Sequence, residues 1–79
     1  MKSVYHVRAR FTTADLLVDR VLNAVGRGTS TGNRQTALDL ARFAAQKARV
    51  QTVVIREHDR GNKVIAHFDA EGRDRRIEA

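Results

Sequence analysis

The residues best suited to chemistry are few. His6, His58 and His67 are the only side chains that ordinarily titrate near neutrality. His67 shares the alternation of Lys63, Ile65 and Asp69, so it would approach His6 if their strands were neighbours. Two imidazoles without a third ligand make a poor metal site, and none has the HExxH spacing. Cysteine is absent, which removes thiol nucleophiles, thiolate ligands and disulfides. Ser3 and Ser30 lie outside any Gly-x-Ser-x-Gly elbow. The carboxylates are scattered and mostly have a basic neighbour, as with Asp39 and Arg42, or Asp74 between Arg73 and Arg75. That is the pattern of surface ion pairing. These residues predict a protein that is not an enzyme and needs no cofactor or metal.

Charge is the stronger signal. Lys and Arg number 15 against 9 Asp and Glu, a formal net charge of +6. Twelve of the basic residues are Arg, whose planar fork suits phosphate and carboxylate. The sharpest local feature is the loop Gly26-Arg27-Gly28-Thr29-Ser30-Thr31-Gly32-Asn33-Arg34. Free glycine backbone, hydroxyls and a following helix N-terminus can hold an anion; Arg27, Ser30, Thr31 and Arg34 would build the contact. The loop lacks the Gly-Lys-Ser/Thr ending of a P-loop.

The elements that must position these groups follow from periodicity. Val4 to Phe11 alternates, with Tyr5, Val7, Ala9 and Phe11 inward and His6, Arg8 and Arg10 outward: a half-buried strand. Thr12 and Asp15 resemble a capping box before a helix over 14–25. Its apolar arc is Leu17, Val18, Val21, Leu22, Ala24 and Val25, and Gly26 and Gly28 are C-cap candidates. A strand is the competing reading of this stretch. Ser30, Thr31 or Asn33 can cap a second helix over 34–49, whose buried face is mostly Ala and whose Phe43 sits on the shoulder. Strands over 51–56 and 63–68 flank a short polar link, the signature of a hairpin. The expectation is one α+β domain over 1–70 in the order β-α-α-β-β: a three-stranded antiparallel sheet with two helices on one face. A polar tail over 71–79 follows, with an Arg73-Asp74-Arg75-Arg76 run expected to be flexible. Nothing approaches a membrane span or a signal peptide, and the lack of cysteine suits a reducing, cytoplasmic setting.

Two helices and a hairpin also have the element order of a winged helix-turn-helix. The helix over 34–49 would then present Arg34, Gln35, Asp39, Arg42 and Gln46 to a groove, with His58, Arg60 and Lys63 as the wing. Reading of RNA on the sheet face lacks aromatics if Tyr5 and Phe11 point inward. A basic face would equally suit an acidic protein surface, and so small a core allows a homodimer.

The stretch Val25-Gly26-Arg27, the Ala-rich helix Thr36 to Ala48 and the strand Asn62-Lys63-Val64-Ile65-Ala66-His67-Phe68 resemble small phage-encoded proteins, among them anti-CRISPR proteins of this size. The resemblance covers about half of the chain. It implies a non-catalytic inhibitor of a host nucleoprotein complex, though a +6 chain departs from inhibitors that imitate DNA with an acidic surface. The leading expectation is a basic binding module that contacts nucleic acid or a nucleoprotein through Arg8, Arg10, Arg27, Arg34, Arg42, Arg49, Arg60 and Lys63. A phage-type inhibitor of a host effector and a winged-helix DNA-binding regulator are the alternatives.

Overall fold

The computed structural model describes residues 3–58 and 61–77. The chain is α+β, as expected, but its sheet has four strands rather than three. β1 is Val4–Ala9, α1 Asp15–Ala24, β2 Ser30–Thr31, α2 Arg34–Ala48, β3 Thr52–His58 and β4 Gly61–Phe68. The order is thus β-α-β-α-β-β. The additional strand is β2, which forms inside the glycine loop and pairs Ser30 with His6 and Thr31 with Tyr5. All pairings are antiparallel, in the order β2-β1-β3-β4.

Register divides the sheet into two faces. Val7, Val54 and Ala66 form one row, and Ala9, Thr52 and Phe68 the next. All six are buried on the side that carries the helices. α2 closes this face with Ala37, Ala41, Ala44 and Ala45, each 0 % exposed. Alanines let the helix backbone come close enough for the Thr52 hydroxyl to donate to the Ala41 carbonyl at 2.8 Å. α1 contributes Val18 and Leu22, and Phe43 packs half-buried at the rim. Larger side chains such as Phe68, Leu22, Val7, Val18 and Val54 supply most of the buried apolar area, at roughly 1.5–3 kcal/mol each.

The helix ends have specific chemistry. Asn33 caps α2, its side chain accepting from the Thr36 amide at 2.9 Å. After α1, Gly26 turns to φ +73°, its amide reaching the Asn23 carbonyl and the Arg27 amide the Leu22 carbonyl. That pair of bonds is a Schellman motif, which only a residue tolerant of positive φ closes easily. The expected capping box at Thr12 does not form. Residues Thr12–Ala14 make a 3-10 turn, and Asp15 instead accepts from the Ala9 amide at 3.1 Å.

β4 carries a bulge. Val54 faces Ala66 but Ile55 faces Val64, so Ile65 has no partner and turns into the core beside Ala66. The parity expected for β4 breaks here: Ile65 and His67 lie on opposite faces, and Lys63, opposite Arg56, falls on the helix side. Beyond β4 the chain turns back along its edge. Asp69 accepts from the amides of Glu71 and Arg73, Phe68 bridges Asp74, and the Arg75 amide reaches the His67 carbonyl at 2.7 Å. Gly72 is buried at φ +84°, and a Cβ there would meet Gln46 Cγ at 2.5 Å. Residues 71–77, expected as a flexible tail, are therefore tied to both β4 and α2.

Candidate functional site

Among the described residues no helix covers the second sheet face. Along β1 it presents His6 and Arg8, and Arg10 continues the line because its amide still reaches the Gln51 carbonyl at 2.8 Å. Across β3 and β4 lie Val53, Ile55, Val64 and His67, all half-buried. The returning tail sets Ile77 beside them at 50 % exposure. Together Arg8, Arg10, Thr12, Val53, Ile55, Val64 and Ile77, with Ala9 and Asp15, line an open groove of about 510 Å³. Its floor is aliphatic and one wall carries two guanidinium groups.

A polar row closes one end. Arg10 Nη1 donates to Gln51 Oε1 at 2.9 Å, and His67 Nε2 donates to the same oxygen at 2.9 Å. That fixes the neutral His67 tautomer, with Nδ1 left as an acceptor. Burial first, then the charges of Arg10 and Arg75, hold the His67 pKa below its ordinary 6.5, with Asp69 opposing. Asp69 is itself pulled below its ordinary range, chiefly by the Arg73 amide it accepts from. The row ends on Phe11, 59 % exposed, with the Arg10 guanidinium 5.5 Å from its ring centroid.

At the other end, Ser30, His6 and Glu57 form a chain over β2, β1 and β3. His6 Nδ1 lies 2.8 Å from Ser30 Oγ and Nε2 lies 2.6 Å from Glu57 Oε2. With neutral His6, Nε2 donates to the carboxylate and Nδ1 accepts the hydroxyl proton. The atom order is that of a nucleophile, base and acid relay. None of the three lines the groove. His6 and His67 do not meet, because β3 separates their strands by two interstrand steps, about 9.5 Å. Among the described residues no group of three His, Asp or Glu is placed to hold a metal.

Of the basic residues singled out in the sequence, the fold brings Arg8 and Arg10 together. Among the described residues Arg8 has no hydrogen-bond or ion-pair partner. Arg34 opens α2, on the helix side, where it lines a small pocket with Leu38, Asp74 and Arg76. Arg42 lies on α2 with its guanidinium 5.4 Å over the ring of buried Phe68, so it shields the core. Arg27 is exposed after α1, and Arg49 ends α2 in a left-handed conformation at φ 55°. Lys63 is also on the helix side, and Arg60 lies outside the described residues. Among the described residues the basic side chains thus form no single patch. In the glycine loop two of the three hydroxyls are engaged: Ser30 with His6, and Thr31 Oγ1 with the Asn33 amide at 3.2 Å.

Sequence reasoning missed Phe11, Gln51, Arg75 and Ile77 as neighbours of this face. Ile77 alone left a trace, as an isolated aliphatic residue in a charged tail. Among the described residues no helix is long and apolar enough to cross a membrane. Compared with known proteins, the chain matches no family model, and no curated protein or solved structure is significantly similar to it.

Proposed function

We propose that the protein is a non-catalytic binding module whose open sheet face contacts nucleic acid. One observation carries this reading: Arg8 and Arg10 project side by side along an uncovered apolar strip, in a chain of net charge +6. Arginine beside aliphatic and aromatic surface meets both demands of a polynucleotide, phosphate charge and flat hydrophobic bases. A winged-helix arrangement gains no support from the geometry. The β3–β4 hairpin pairs with β1 beneath the helices, and Gln46 of the expected groove-reading set packs against Gly72.

The test is fluorescence anisotropy with labelled oligonucleotides at low and moderate salt. Affinity should fall steeply with salt, and Arg8→Gln/Arg10→Gln should lower the salt slope by about 1.5, the share of two phosphate contacts. Absence of binding at low salt, or an unchanged slope in the double variant, contradicts the proposal.

A second reading rests on a different observation. Phe11, Leu16 and Leu17 are 59 %, 69 % and 45 % exposed around the start of α1. Uncovered large apolar side chains suit a protein partner, as the resemblance to phage-encoded inhibitors would have it. Co-purification with a CRISPR effector complex, lost in Leu16→Ser/Leu17→Ser, supports that reading; no complex and unchanged interference count against it.

A further inference from the structure

We infer that the nucleic acid taken by the open sheet face is single-stranded, with one base over the aliphatic floor and a neighbouring base stacked on Phe11. The inference rests on the proposed nucleic-acid reading and deepens it. A duplex offers phosphates and groove edges and hides its base faces; the floor of Val53, Ile55 and Val64 has nothing to gain from phosphate. Unstacked bases are what such a surface buries. The groove, about 510 Å³, is of a size that receives a small flat ligand. Among the described residues, no helix projects from this side of the sheet to enter a major groove.

The cations are arranged for a strand. Arg8 and Arg10 are two residues apart on an extended segment, about 6.6 Å along β1, and so stand in file beside the floor. That is the layout of a backbone tracked along one edge while bases turn inward over Val53 and Ile55. Phe11 extends the file, with Arg10 against its ring. Ile77 forms the opposite wall. Every base has a π-face, so this surface selects for single strands and only weakly for sequence.

The experiment compares labelled oligouridine, oligothymidine and a mixed-sequence duplex of equal length by anisotropy, using the full chain. Either single strand should bind about tenfold more tightly than the duplex, and the better one identifies RNA or DNA. Phe11→Ala should weaken single-strand binding about tenfold and leave the salt slope and the duplex affinity unchanged. Phe11 is exposed, so this variant should keep the fold, checked by its circular dichroism and urea midpoint. Ile77→Ala should act in the same direction to a smaller extent. A duplex bound as tightly as the single strands, or Phe11→Ala without effect on them, overturns the inference and leaves the nucleic-acid reading standing. Absence of binding to all three probes overturns that reading itself.

Discussion

The two faces of the sheet are made from alternate residues of the same strands, yet they obey different rules. On β1, Tyr5, Val7 and Ala9 are 8 %, 0 % and 5 % exposed beneath the helices. Between them His6 and Arg8 face outward. The covered face is apolar, filled and closed by alanines at short range. The open face mixes aliphatic residues with arginines and leaves three valine and isoleucine side chains only half-buried. Packing explains the buried residues of the first face. It does not explain why Val53, Ile55 and Val64 stand beside Arg8, which has no partner among the described residues. Aliphatic side chains left half-exposed beside such an arginine are where the proposed external contact belongs.

That contrast can be broken by mutation. The largest effect should come from the covered face: Phe68→Ala removes a ring 1 % exposed and should cost about 3–5 kcal/mol in urea unfolding. In a domain of this size that approaches the whole stability. Next is the tail that borders the open face. Gly72→Val puts a branched side chain at φ +84° and against Gln46, and should cost about 2 kcal/mol. It should also raise amide exchange at Arg75, whose bond to His67 anchors the tail.

Smaller still is the Ser30–His6–Glu57 chain. If it acts as a strut across three strands, Ser30→Ala should cost about 1 kcal/mol and nothing should be hydrolysed. Turnover of a p-nitrophenyl ester that depends on Ser30 would contradict the proposal of a non-catalytic module. The smallest effect is His67. Its pKa in the fold is depressed, so the unfolded chain takes up the proton first as pH falls below 6.5. Stability should therefore decline below that pH and level off once folded His67 also protonates. His67→Gln should flatten that part of the profile. Phosphate favours the protonated ring, so affinity for nucleic acid should rise as pH falls toward the lowered pKa of folded His67.

Much of the covered face was legible in the sequence. Alternation marked Tyr5, Val7 and Ala9, and helical periodicity marked Ala37, Ala41, Ala44 and Ala45, because burial imposes a period. β2 was not legible: two residues of Ser and Thr among glycines carry no alternation, and only the neighbouring β1 edge makes them a strand. Phe11 was misplaced because its parity was extended past the point where β1 leaves the sheet. The bulge at Ile65 had no local signal either, so Lys63 and Ile65 were placed on the face of His67, whereas only His67 lies on the open side. On α1 only Val18 and Leu22 are fully buried, whereas Leu17 and Val25 of the expected arc remain exposed, since a short helix at the sheet margin presents only part of its circumference. The site inherits these limits. Arg8 and Arg10 were found as outward residues of one strand. Their separation from Arg34 and Arg42 depends on which layer each element joins.

The most direct test of the central claim is an amide chemical-shift map of the full chain titrated with oligouridine or oligothymidine. The account predicts perturbations confined to the open face and its margin: Arg8, Arg10, Phe11, Val53, Ile55, Val64, His67 and Ile77. Perturbations centred on Arg34, Arg42 and the exposed side of α2, with the sheet face silent, would contradict it.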